Sequence, residues 1–229
     1  MKTLMLVGAH HDDNELMAGT IARHRKAGWR VVSVVMTDGR WTPAGVSDQN
    51  TEIRNGESRA AAALLDMEAV FLGFKEGAFE ATEASTRAAA EAMRLYPPTI
   101  VVTHPPRDYH ADHMATSRCV EAAVYRCANP SYEARFDPCP APRLYYCDAW
   151  VMPFEPDVYV DVSDYADLKK AALACHRSQF PAGGSTPGDM IDVEMTRARY
   201  RGFESGFAYA EAYRFAPRPG LVRTAELLG

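Results

Sequence analysis

Leu4-Met5-Leu6-Val7-Gly8-Ala9-His10-His11-Asp12-Asp13-Asn14-Glu15 runs from an apolar stretch directly into six consecutive polar residues. A short, continuously apolar run bounded by glycine suits a strand buried on both faces of a parallel sheet. Val31 to Met36 repeats the pattern. Glu15 to Ala27, between the two, has the length and composition of a crossover helix, with Gly28 placed to end it. The three segments read as a βαβ unit. Further strands are predicted at Ala69 to Leu72, Thr99 to Val102, Leu144 to Cys147 and Val158 to Val160. Helices are predicted over about Thr51 to Leu65, Thr82 to Leu95, Ala111 to Cys127, Tyr165 to Cys175 and Asp192 to Glu204. This alternation predicts an α/β fold: a Rossmann-like, doubly wound, mostly parallel sheet with helices on both faces. With no linker long enough to separate units, residues 1–229 read as one domain.

Composition narrows the function classes. The chain is 47% hydrophobic and 24% charged, enough apolar content for a sizeable core. A net charge of −5 gives no general attraction to phosphate backbones, which argues against a nucleic-acid partner. No apolar stretch reaches the ~18 to 20 residues that span a bilayer, and the N-terminus reads as a strand rather than a signal segment, so a cytoplasmic protein is expected. The five cysteines contain no CxxC pair, so they read as buried thiols rather than a disulfide framework or a zinc ribbon.

A second polar segment, His110-Ala111-Asp112-His113, follows the predicted strand ending at Val102. In an open parallel sheet, ligands bind beyond the carboxyl ends of the strands, and both segments fall there. A tight turn after the first strand would aim His10 and Asp13 into that crevice. His113 would lie in the first turn of the following helix, on the same face as His110. Two imidazoles and one carboxylate form the three-ligand set that catalytic zinc uses, with a fourth position left for water. Asp12 is then available as a general base. The plainer alternative makes the histidines solvated loop residues and the aspartates helix caps. Two such segments at successive strand ends, with complementary ligand types, weigh against it.

AHHDDNE with Ala18-Gly19-Thr20, and DYHADH in the second segment, resemble the two signature motifs of the LmbE-like (PIG-L) zinc-dependent N-deacetylases. The likeness continues through Arg54-x-x-Glu57, DVSDYADLKKAALACHRSQF and RARYRGFESGFAYAEAYRF. The resemblance implies that His10, Asp13 and His113 hold zinc and that Asp12 activates the water. His110 would stabilise the oxyanion, and Asp112 would orient a neighbouring histidine. Asp12 or the water network would protonate the leaving amine. The implied partner is a small N-acylated amino sugar or conjugate, the implied assembly a homo-oligomer, and the native metal either zinc or another divalent ion such as iron. The family usually has proline where His11 stands, which loosens the turn here. A structural or substrate-facing role for His11 is favoured over a fourth ligand.

Other residues have two readings each. Arg54 would hold polar substrate, or pair with Glu57 along its helix. Asp38, after the second strand, would bind sugar hydroxyls or make a turn. Trp41 and Tyr109 would stack on a sugar ring or pack. His104 reads as a buried supporting residue, and His176 as a pocket wall or a helix-end donor. The loops Arg40 to Asn50 and Asn129 to Arg143 are lid candidates, and Pro181 to Gly188 reads as a surface turn. The competing functions are a two-metal phosphoesterase and a catalytically silent metal- or glycan-binding protein. A dinucleotide-binding enzyme is disfavoured because GAHHDDN lacks the GxGxxG fingerprint.

Overall fold

A computed structural model describes residues 1–149, 152–180 and 188–216. In chain order the elements are β1 (Thr3–Gly8), α1 (Ala18–Lys26), β2 (Arg30–Thr37), β3 (Trp41–Thr42), β4 (Gly45–Val46), α2 (Asp48–Leu64), β5 (Glu68–Phe74), α3 (Glu83–Leu95), β6 (Ile100–Thr103), α4 (Ala111–Ala128), β7 (Arg143–Cys147), β8 (Val158–Asp161), α5 (Ala166–Leu173), α6 (Met190–Ser205) and β9 (Ala210–Phe215).

Seven strands form one sheet in the order β5-β2-β1-β6-β7-β9-β8, and β3 and β4 form a separate short hairpin. From β5 to β7 every pairing is parallel; β9 runs antiparallel to both β7 and β8. The mostly parallel α/β sheet expected from the sequence is present. The chain grows from β1 outward through β2 and β5, then crosses back to place β6 on β1's other side. The crevice between β1 and β6 is therefore a switch point, where such sheets bind ligands.

All six residues of β1 are buried, and alternation divides them. Met5 and Val7 face a core built with Ala89 and Met93 of α3 and Val120 and Val124 of α4. Leu4 and Leu6 face the other core, with Ile21 of α1 and Leu173-adjacent Ala172 of α5. Burial on both faces is what produced the unbroken apolar run.

The predicted first helix divides in two. Residues Asn14–Met17 form a 3₁₀ turn and α1 begins only at Ala18. Its end follows expectation: Gly28 has φ 79°, its N–H bonds to Arg25 O, and that of Trp29 bonds to His24 O. This is a Schellman ending, which needs a left-handed residue just past the helix.

Strand β9 went unseen in the sequence. Its Ala210, Glu211 and Ala212 are poor strand formers, and Glu211 is buried because it accepts the N–H groups of Gly19 and Thr20 at the start of α1. Of the five cysteines, Cys119, Cys127, Cys139 and Cys147 are buried, Cys175 is partly so, and all are free thiols. Among the described residues no helix is long and apolar enough to cross a membrane. The turn expected at Pro181 to Gly188 lies outside the described residues except for Gly188.

Candidate active site

A cavity of about 880 Å³ opens at the carboxyl end of the sheet, over the β1–β6 switch point. Its floor carries His10, Asp12 and Asp13 from the turn after β1, His104, Asp108 and His110 from the segment between β6 and α4, and His113 from the first turn of α4.

Donor atoms of three residues converge on this floor. His10 Nδ1 lies 3.1 Å from His113 Nε2 and 3.5 Å from Asp13 Oδ2, and His113 Nε2 lies 3.5 Å from Asp13 Oδ1. Ligands about 2.0 Å from a tetrahedral ion stand roughly 3.3 Å apart, so the spacing fits one such ion. Among the described residues, the triads whose ligand atoms all lie within 4.8 Å of one another are His10 with His110 and His113, and Asp13 with His104 and His113, which share His113 and so bring His10 and Asp13 to the same place.

The outer atoms of the three residues are engaged. His10 Nε2 is 3.2 Å from Asp112 Oδ2, and His113 Nδ1 is 3.0 Å from Asp108 Oδ1. Asp13 Oδ2 accepts the His10 backbone N–H at 2.6 Å and faces His104 Nε2 at 3.0 Å. Such outer partners fix ring orientation and tautomer, leaving Nδ1 of His10 and Nε2 of His113 directed inward. Asp112 is itself held by the backbone N–H groups of Gly77 and Phe79. The His104 ring stacks on that of His113, centroids 3.9 Å apart.

The crowding shifts the titrations. Burial works against a protonated His10, yet its bonds to Asp112 and Asp13 raise its pKa to about 10. Burial also opposes the Asp13 carboxylate, but His113 and His104 beside it hold its pKa well below the usual range. His110 is shifted down, by burial and then by His10 and His113. His110 caps α4, its Nδ1 accepting the Asp112 N–H at 3.1 Å, so its neutral ring carries the proton on Nε2.

Asp12 lines the cavity next to this cluster and is held by Arg54, whose Nη2 donates to Asp12 Oδ1 at 3.0 Å. Burial opposes the Asp12 carboxylate, but the Arg54 guanidinium, joined by His176 and His10, lowers its pKa. Arg54 is itself buried, and its Nη1 donates to Glu76 Oε1 at 2.9 Å and to Trp41 O at 3.0 Å. The helix pair with Glu57 does not form: Glu57 accepts from Ser178 N and Oγ, both at 2.7 Å.

Three sequence expectations need correction or division. Asp38 does not line the cavity; its carboxylate accepts from Arg40 Nε at 2.8 Å and from the Glu76 N–H at 3.2 Å, so it builds the turn. Of the two lid candidates, the first forms the β3–β4 hairpin, and Trp41, Pro43 and Val46 wall the cavity. The second contributes no cavity residue, because it joins the end of α4 to the start of β7, at the opposite end of the sheet. His11 is not directed at the three donors. Its ring stacks on Phe71 at 5.4 Å, bonds Asn55 Oδ1 at 2.9 Å, and lies beneath Gly39, where a Cβ would come within 2.4 Å of it. Trp41 and Tyr109 both line the cavity and remain about half exposed.

Asp108 and Glu76 were not singled out from the sequence. Asp108 stood in the quoted DYHADH, two residues before His110, where a carboxylate can cap the turn and reach His113. Glu76, just past β5 and 3.8 Å from His10 Nε2, has no spacing signal at all. His176 is fully buried, away from the cavity wall, with Nε2 3.4 Å from Glu15.

At the switch point of this α/β sheet, His10, Asp13 and His113 stand beside a further carboxylate, Asp12, and a capping histidine, His110, a donor set that could hold a metal ion. The sequence profile of the family described as GlcNAc-PI de-N-acetylase (PIG-L) matches residues 5–124, which includes every residue of the cluster, and the chain belongs to that family. It is 28% identical to the diacetylchitobiose deacetylase of Thermococcus kodakarensis, over 95% of this chain and 84% of that protein. Its fold matches that of a conserved protein of Thermus thermophilus with a TM-score of 0.83 at 29% identity, covering 97% and 98% of the two chains. It also matches the 4-carboxy-2-hydroxymuconate hydratase of Pseudomonas putida, TM-score 0.81 at 23% identity over 98% and 100%, a likeness of fold alone.

Proposed function

We propose that the chain is a metal-dependent amidohydrolase that removes an N-acetyl or similar small N-acyl group from an amino sugar or sugar conjugate, releasing acetate and a free amine. The observation that carries this reading is the convergence of His10 Nδ1, His113 Nε2 and the two oxygens of the Asp13 carboxylate, with 3.1 to 3.5 Å between the facing atoms of each pair of residues, while His10 Nε2, His113 Nδ1 and Asp13 Oδ2 are engaged by neighbours. The homology to a diacetylchitobiose deacetylase supports the reaction class.

These three residues would hold zinc, whose usual catalytic set is three protein ligands of nitrogen and oxygen type. When bound, such an ion polarises the acyl oxygen and lowers the pKa of a coordinated water to ~7. Asp12, tied at Oδ1 by Arg54, keeps Oδ2 to accept the proton of the attacking water. His110, with its neutral proton on Nε2, donates to the acyl oxygen as negative charge develops there. Asp12 then returns its proton to the departing nitrogen. Asp112 and Asp108 hold His10 and His113 in register. Arg54 sets Asp12 and Glu76, while Tyr109 and Trp41 at the mouth offer flat faces to a sugar ring.

A two-metal phosphoesterase would need further carboxylates facing inward. Asp108 and Asp112 are already committed to His113 and His10, and the two proximity groups share His113. The test is a panel of N-acetylglucosaminides and simple N-acetyl amides incubated with zinc-loaded protein. Amine and acetate released in equal amounts are the expected result. A folded, metal-bound protein that releases no amine from any of them would overturn the reading, and water addition to an unsaturated acid would replace it with hydration.

A further inference from the structure

The turn that carries Asp12 and Asp13 has no cap of its own. The 3₁₀ turn Asn14–Met17 has no side-chain bond at its N-cap, Asp13, and neither does α1 at Met17. Arg54, Ser58 and Asn14 tie the turn itself to its neighbours, and the stretch that follows it, residues 16–20, is gripped from the far end of the chain. Lys169 of α5, 1% exposed, donates from Nζ to the Leu16 carbonyl and, at 2.8 Å, to Glu211 Oε1. Glu211 of β9 in turn accepts the Gly19 and Thr20 N–H groups at 3.0 and 2.9 Å. Glu194 of α6 stands 3.4 Å from the same ammonium. The Leu16 N–H bonds to Asp13 O at 3.3 Å, so two hydrogen bonds separate the ammonium from the peptide of Asp13.

A buried ammonium between two carboxylates is a poor way to gain stability, since well-packed apolar side chains of the same volume do as well or better. A reason in geometry is called for. The three charged residues lie on three different elements, α5, α6 and β9; Lys169 and Glu211 bear directly on residues 16–20, and Glu194 bears on Lys169. Gly19 supports the same view: a Cβ there would lie 2.4 Å from Val162 Cβ, so α1 sits hard against the loop after β8 and has no freedom to drift.

We propose that Lys169, with Glu211, is a positioning residue that sets the register of the turn bearing Asp12 and Asp13, and through it the geometry of the metal site. The inference rests on the metal-site reading given above. Neither residue touches the cavity floor, so the effect passes through Leu16 and the start of α1.

The test compares wild type with Lys169→Met and with the double variant Lys169→Met/Glu211→Gln, which leaves no unpaired charge between those two. Zinc affinity is read by chelator competition, site geometry by the visible absorption of the cobalt(II)-loaded protein, and folding by thermal melting. We expect the double variant to melt near wild type while its zinc affinity falls ~10- to 100-fold, its cobalt bands change, and any loss of turnover appears in kcat rather than KM. Lys169→Arg should restore part of the zinc affinity. A folded double variant with wild-type affinity and cobalt spectrum would overturn the proposal and make the cluster a packing device. If Lys169→Met alone fails to fold, the double variant decides. Wild-type protein that binds no zinc at this turn would instead overturn the metal-site reading beneath it, a result seen before any variant is made.

Discussion

The two ends of the sheet solve the problem of buried polarity in opposite ways. At the amino end, Arg94 alone donates to five backbone carbonyls, those of Arg126, Cys127, Asn129, Tyr132 and Phe136, at 2.7 to 3.2 Å. One side chain there satisfies two carbonyls of the last turn of α4 and three of the irregular loop that follows it. At the carboxyl end, His10, His104, His110 and His113 crowd against Asp12, Asp13, Asp108 and Asp112, and pKa values are driven in both directions. Polar groups that satisfy one another build structure. Groups whose titrations are driven apart at one end of a sheet are the physical signal by which a functional site is sought, and the site proposed above lies at that end.

Removing members from each end should break that contrast or sharpen it. The largest effect is expected from Asp13→Ala, which takes out a proposed ligand: zinc affinity should fall beyond the ~10- to 100-fold typical of lost outer partners, and turnover should disappear. Chelator competition and amine release measure both. Asp12→Asn should leave zinc bound while kcat drops ~10²- to 10⁴-fold, the usual range for a lost general base. Equal metal content in the two proteins is the control. Asp108→Asn, which weakens the partner of His113 Nδ1, should lower zinc affinity ~10-fold or somewhat more, with KM little changed. At the other end, Arg94→Met should cost roughly 2 to 4 kcal/mol of stability in urea unfolding and leave kcat at the wild-type value. A loss of turnover in a folded Arg94 variant would contradict the division between the ends.

A pH series probes the same contrast without mutation. The His10 pKa is raised from 6.5 to about 10 in the metal-free protein, so its stabilising contribution is complete below pH 6.5 and is lost as pH rises through about 10. The melting temperature of metal-free protein should therefore fall across that window. Zinc, which takes the same nitrogen, should flatten the fall.

The contrast also explains what could be read from the sequence. Strand β1 was legible because burial on both faces leaves a continuous apolar run, and the turn after it because six polar residues in a row follow that run at the carboxyl end of a parallel strand. His10, Asp13, His110 and His113 came from the same logic. Asp108 and Glu76 escaped it, since each acts through a partner distant in space whose approach only the folded loop defines. Strand β9 escaped because Glu211 serves α1 rather than its own strand, which erases the alternation a strand would show. Asp38 had two readings, sugar hydroxyls or a turn, and composition alone did not separate them; its carboxylate closes the turn with Arg40. The loop Asn129 to Arg143 misled through composition alone, because proline-rich irregularity says nothing about which end of a sheet it occupies.

The most direct measurement is zinc anomalous scattering from crystals of the zinc-loaded protein. The account predicts one ion per chain, bound by His10 Nδ1, His113 Nε2 and the Asp13 carboxylate at about 2.0 to 2.2 Å, with Asp12 Oδ2 facing the remaining position. An ion placed instead between Asp13, His104 and His113, or a pair of ions about 3.5 to 4 Å apart, would contradict it.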